Sequence, residues 1–75
     1  MKVSFVDEGS GRLLHVDDGL ERSDFSVGDR ISIVSDQQFG REIEILGIIA
    51  AVGLNIRSLG EEATERFLVV TVRTA

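Results

Sequence analysis

The stretch "GREIEILGIIAAVGLNIRSL", residues 40–59, decides the fold of this chain because it carries the signals of two different elements. Its start alternates apolar and acidic residues, as a half-buried strand does. Its middle, residues 46–52, has no charged residue, as in a buried helix. Isoleucine is β-branched and favours strands. The uninterrupted length of the segment, together with Ala50 and Ala51, instead favours a helix.

A helical projection favours a helix over residues 40–52. At about 100° per residue, the apolar residues fall on two opposite sides. One side is bulky and suits packing on a sheet, and the other is flat around Gly47. Glycine within a helix costs about 1 kcal/mol relative to alanine, so we expect another backbone to approach closely there. The bulky side contains Ile45, Ile48, Ile49 and Val52, and the flat side contains Ile43, Leu46, Gly47 and Ala50.

The rest of the chain predicts strands separated by turns. Alternating apolar residues bounded by glycine and short polar residues are typical of strands. A right-handed crossover through the helix leaves a slot between the two strands that it joins. We therefore expect one helix on one face of a sheet of four to five strands, in the spatial order 2–6, 12–16, 30–35, 66–73 and 54–59.

With the helix placed, the segment "DQQFGREIEILGIIAAVGLNIRSLGEEATERFLVVTV", residues 36–72, resembles the first two-thirds of an ACT domain. Asp36 stands where the first strand of that family ends, and Gly40 stands at its motif glycine. The "GLNI" step at residues 53–56 follows at the family's spacing of thirteen residues between glycines. Phe39 replaces the motif proline, the N-terminal hairpin could supply the fourth strand as in a permuted fold, and the second helix has no counterpart. The resemblance implies an α+β, ferredoxin-like fold, permuted or truncated.

The resemblance also implies a function, since ACT domains are regulatory modules that bind amino acids and are attached to metabolic enzymes. The loop before the helix could bind a carboxylate through free amide groups, and Asp36 could pair with an ammonium group. An ordinary capped loop, with Asn55 making a local backbone bond, is the alternative. The candidate ligand-binding residues are Asp36, Gln37, Gln38, Phe39, Gly40 and Asn55.

Size and composition favour association of a small domain. Seventy-five residues without cysteine form one small domain that cannot use disulfides. One helix cannot cover five strands spaced about 4.8 Å apart. We expect residues 1–75 to form this single domain, with a hairpin and polar connection over 1–29 and a strand–helix–strand–strand unit over 30–75. We expect a homodimer, or docking on a partner enzyme, with an interface formed by Ile43, Leu46, Gly47 and Ala50.

The composition disfavours several function classes. The net charge of −5 and the absence of a basic cluster disfavour nucleic acid. The longest apolar run is too short to span a membrane, so we expect a cytoplasmic protein. A single histidine, no cysteine and no metal-ligand cluster predict neither an enzyme nor a cofactor. The expected function is a small, ligand-sensing regulatory module that binds an amino acid or a similar small anion at a dimer interface. The alternative is a protein–protein interaction or dimerisation module without a small ligand.

Overall fold

A computed structural model describes residues 1–36, 42–61 and 63–75 as a nearly closed, barrel-like sheet of five strands. A single 3₁₀ turn at Arg22–Asp24 lies in the connection between the second and third strands. The described part of the chain contains no α-helix, and so no helix that is long and apolar enough to cross a membrane. The strands are β1 (Lys2–Asp7), β2 (Leu13–Asp17), β3 (Arg30–Asp36), β4 (Glu42–Ser58) and β5 (Thr64–Thr74).

The strand order is β2-β1-β5-β4-β3, with β5 at the centre. β5 runs parallel to β1 and antiparallel to β4. β1 with β2 and β3 with β4 form antiparallel pairs. The predicted order is therefore wrong, because it placed β3 beside β2 and β5. The predicted strands outside residues 40–59 coincide with β1, β2, β3 and β5 to within two residues at each end.

The predicted helix over 40–52 is wrong, and so is the α+β, ferredoxin-like or ACT-like fold class built on it. From Glu42 onward this segment belongs to β4, a strand of 17 residues, and the described part of the chain is all-β. A β-bulge between Ile49 and Ala51 explains the error. Before the bulge every second residue up to Ile49 faces the core, and after it the inward series resumes at Val52. One extra residue thus turns the strand period of two into a spacing of three, which mimics a helix.

The core lies on the concave, inner face of the sheet, and β5 dominates it. Leu68, Val70 and Val72 from β5 are at most 1% exposed. Leu20 and Phe25, from the connection between β2 and β3, pack against this core although they belong to no strand. The buried residues are Val3, Phe5, Ile33, Ile49, Leu68, Val70 and Val72.

Candidate interaction surface

The edge of β4 is unpaired over its second half. β4 pairs with β3 as far as Ile48, opposite Arg30. Ile49 then donates its N–H to the carbonyl of Asp29 at 2.9 Å and accepts the N–H of Gly28 at 2.8 Å. Residues 51–58 pair with β5 on one side, Ala50 lies in the bulge, and within the described ranges residues 50–58 pair with no strand on the other side. We call this side of residues 50–58 the free edge.

The free edge carries a row of apolar side chains on the inner face. Leu54 lies opposite Leu68 and is 47% exposed, and Ile56 lies opposite Arg66 and is 62% exposed. Val52, two residues earlier, is partly buried against the core. We call Val52, Leu54 and Ile56 the apolar row. It extends the hydrophobic core outward along a strand whose backbone is open on one side.

On the outer face of the β4–β5 hairpin, the charged side chain of Arg57 contacts an aromatic ring and a carboxylate. The guanidinium of Arg57 lies 5.5 Å from the ring centroid of Phe67 and 3.7 Å from a carboxylate oxygen of Glu65. Arg57 and Glu65 are directly opposite each other in the β4–β5 register. Arg57 is the only charged residue in 50–58, a segment without proline. The free edge thus has one outward-facing charge, Arg57, and a β-bulge at its start, but it has none of the lysine, proline or inward-pointing charge that natural edge strands also use to prevent pairing.

The outermost strands of the sheet, β2 and β3, face each other across one seam. β2 and β3 border the gap in the nearly closed sheet, where they line a cavity of ≈ 320 Å³. Phe25 covers this seam, with its ring 5.7 Å from that of Phe5 in an edge-to-face arrangement. His15 also lines the cavity, 3.7 Å from a carboxylate oxygen of Asp17. Within the described ranges no cluster of His, Cys, Asp and Glu could hold a metal ion.

A second cavity of ≈ 390 Å³ is lined by the start of β3, the middle of β4 and the end of β5. Arg30, Ile48 and Arg73 form one rung across these three strands. The Nε of Arg73 donates to Glu8 at 2.9 Å, and this hydrogen bond and the charge of Glu8 raise the pKa of Arg73. The site is open and largely apolar, and Arg30 has no carboxylate partner among the described side chains.

The predicted ligand-binding residues are not brought together. Asp36 ends β3 opposite Glu42, whereas Asn55 lies thirteen residues after Glu42 on β4. At about 3.3 Å per residue the path along the strand is roughly 40 Å. Asn55 is exposed, and its Nδ2 donates to the carbonyl of Gly53 at 3.5 Å. The remaining predicted ligand residues, Gln37, Gln38, Phe39 and Gly40, lie outside the described residues.

The predicted dimer residues Ile43, Leu46, Gly47 and Ala50 all lie on β4, but they share no face. Ile43 and Gly47 point to the inner face and Leu46 to the outer, while Ala50 lies in the bulge. A backbone does approach Gly47 closely, yet it is that of β5. A Cβ on Gly47 would lie 2.8 Å from the carbonyl oxygen of Arg73 and 2.5 Å from Cγ1 of Val72.

Sequence reasoning missed the apolar row as a surface. The sequence does contain a strand signal there, because apolar residues occupy every second position of "VGLNI" at residues 52–56. Assigning Val52 to a helix separated it from Leu54 and Ile56. No protein-family model matches this chain, and no curated protein or solved structure matches it significantly. The free edge of β4 is therefore the feature of this protein that bears on its function.

Proposed function

We propose that this protein is a protein-interaction module that binds an extended strand at the free edge of β4. The observation that carries the proposal is a nine-residue edge without a strand partner that bears the exposed side chains of Leu54 and Ile56. Strand addition of this kind gains affinity from backbone hydrogen bonds and specificity from alternate side chains. The free edge offers both.

The free energies gained and lost on binding favour a reversible interaction. Completely burying a Leu or Ile side chain contributes about 1.5–3 kcal/mol, and about half of that remains to be gained at Leu54 and Ile56. Each backbone hydrogen bond adds a net of about 0.5–1.5 kcal/mol. Association itself costs at least about 4 kcal/mol. The gains and the cost are thus of similar size, which suits a module that binds and releases its partner.

Amino-acid sensing, the function implied by the resemblance, stays a prediction. Four of its six residues lie outside the described residues, and the other two, Asp36 at the end of β3 and Asn55 on β4, are far apart. The alternative expectation, an interaction module without a small ligand, has the support of a specific surface. It is therefore the function that we propose.

The test uses the peptide acetyl-AAVGLNIRS-amide, which has the sequence of residues 50–58. It is titrated into ¹⁵N-labelled protein kept as dilute as the spectrum allows. We expect saturable shifts at the amides of the free edge. Two control peptides are N-methylated at alternate amides. Because only alternate amides of a strand face a neighbour, one of the two must lose binding.

The matched protein variants are Ile56→Lys, on the free edge, and Val34→Lys, on the outer face of β3. Both replace a β-branched residue of similar exposure, 62% and 56%. The edge variant Ile56→Lys should weaken peptide binding, because lysine on an edge strand prevents pairing with another strand. The β3 variant should bind like the wild type. Absence of shifts at residues 50–58, or equal binding by both N-methylated peptides, contradicts strand addition.

A further inference from the structure

We infer that the strand added at the free edge is the free edge of a second copy of this chain, paired antiparallel about a two-fold axis at Leu54. The inference rests on the proposed function and names its partner. Two-fold dimers use the same surface on both subunits, so the surface must be complementary to itself. The residues of the free edge meet that condition in one register.

The register follows from the limits of the edge. Leu54 is the midpoint of residues 50–58, so pairing about Leu54 lets all nine residues of each edge face the other copy. In that register Leu54 faces Leu54 of the second copy, and Val52 faces Ile56 of the second copy. The apolar row therefore meets itself at three consecutive inner-face positions. A register about Asn55 would instead place Val52 opposite Ser58.

The same register creates no charge repulsion between the two strands. Arg57, the only charged residue of the edge, faces Ala51 of the second copy. Its charge is already engaged by Glu65 within its own hairpin. Asn55 faces Gly53 of the second copy, where the absence of a side chain leaves room for the amide. Two copies with a net charge of −5 each can thus approach through a strip that carries no acidic residue.

Self-pairing also joins the exposed apolar side chains into one cluster. Leu54 and Ile56 of both copies would lie on the same side of a sheet that runs continuously from β5 through the two β4 strands to the second β5. A foreign strand would have to present apolar side chains at the same three positions. The free edge already presents them, which favours a second copy over an unrelated partner.

The absence of cysteine from the chain permits a clean cross-linking test. Opposite residues in an antiparallel pair have Cα atoms about 4.5–5.5 Å apart, within the roughly 4.4–6.8 Å range of disulfides. Under mild oxidation we expect Leu54→Cys to form a disulfide-linked dimer. Val52→Cys and Ile56→Cys should form a mixed dimer with each other, but not with themselves. Val34→Cys, of similar exposure to Ile56, is the matched control.

Sedimentation of the cysteine-free protein provides an independent measurement. The wild type, with a subunit mass of 8.2 kDa, should sediment as a concentration-dependent dimer. Ile56→Lys should raise the dissociation constant by at least about tenfold, which corresponds to about 1.4 kcal/mol. Val34→Lys should leave it unchanged. The mixed Val52→Cys and Ile56→Cys pair keeps the register testable if Leu54→Cys is poorly folded.

The outcomes separate the inference from the proposed function. Cross-linking that is fastest for Asn55→Cys, or as fast for Val34→Cys, overturns the register. A monomeric wild type without cross-links that still binds the peptide retains strand addition and rejects the second copy as the partner. A monomer that neither cross-links nor binds the peptide rejects both.

Discussion

At the scale of single residues, Gly47 sets how closely β4 approaches β5. Its inner-face position lies opposite Ile31 on one side and Thr74 on the other. A Cβ there would meet the carbonyl oxygen of Arg73 at 2.8 Å, and a backbone atom in the middle of a sheet cannot move at small cost. Gly47 is therefore required by the fold of one chain, not by contact between two chains.

We predict that Gly47→Ala lowers the free energy of unfolding by about 1–3 kcal/mol, as overpacking of a filled core does. Urea unfolding followed by circular dichroism measures the change. Gly53→Ala on the same strand is the matched control, because the nearest atom to its Cβ is Nδ2 of Asn55 at 4.0 Å. At concentrations low enough for the protein to be monomeric, that variant should be neutral or slightly more stable, since alanine restricts the unfolded chain. Equal effects at both positions contradict the close approach.

Asp7 is a residue whose ionisation contributes to stability. Its carboxylate accepts hydrogen bonds from the hydroxyl of Ser10 at 2.6 Å and from the hydroxyl of Thr74 at 3.0 Å. The bond from Ser10 first, and then that from Thr74, hold the pKa of Asp7 below its ordinary value of 3.8. The native state thus binds fewer protons than the unfolded state around this pH. The stability contributed by Asp7 is complete above the ordinary pKa and is lost as the pH falls through the lowered one.

We predict that Ser10→Ala raises the pKa of Asp7 towards its ordinary value and that Thr74→Val raises it by a smaller amount. The side-chain carboxyl carbon of Asp7, followed by NMR against pH, reports the pKa directly. Ser26→Ala, in the connection between β2 and β3, is the control and should leave the titration unchanged. Asp7→Asn should also flatten the loss of stability in acid. An ordinary pKa for Asp7 in the wild type would refute this account.

At the scale of elements, β4 shows which strands can be predicted from sequence. Strands β1, β2, β3 and β5 have short alternating patterns bounded by turn residues, and sequence reasoning placed them within two residues. In β4 the bulge between Ile49 and Ala51 interrupts the alternation. The length of the segment and its two alanines then favour a helix. Strand pairing on both sides of the bulge outweighed that local preference.

The position of each strand in the sheet predicts its hydrogen-exchange protection. β5 is paired with β1 and β4 and contributes three buried residues, so amides over residues 68–72 should exchange most slowly. Amides of the free edge that point away from β5 should exchange fast in dilute solution. With increasing concentration, alternate amides over residues 50–58 should become protected. Uniform exchange along β4 at every concentration would argue against strand addition there.

At the scale of the whole molecule, the sheet depends on a pairing that no local pattern reveals. β1 runs parallel to β5, with Val3 opposite Leu68, sixty-five residues later. Turn chemistry identifies hairpins such as β1–β2, but a parallel pairing between the two ends of a chain leaves no comparable signal. No local pattern reveals the free edge either, because it exists only since β3 begins at Arg30, directly after Gly28 and Asp29 bond to Ile49.

Closure of the sheet depends on side chains from the β2–β3 connection rather than on a ladder between β2 and β3. Phe25 packs edge-to-face on Phe5 and lines the seam cavity of ≈ 320 Å³. We therefore predict that Phe25→Ala destabilises the whole sheet in one cooperative transition, by about 2–3 kcal/mol. That is less than the roughly 3–5 kcal/mol of a fully buried phenylalanine, because Phe25 is only partly buried.

The control is Val27→Ala in the same connection, where the side chain is 67% exposed and the expected change is within about 0.5 kcal/mol. Thermal and urea unfolding of both variants, followed by far-ultraviolet circular dichroism and by NMR of the β5 amides, provide the measurement. The two signals should move together for Phe25→Ala, because the seam and the central strand share one core. If β5 keeps its wild-type stability while the connection loosens, the connection is a separate flap and the sheet is closed by its strands alone.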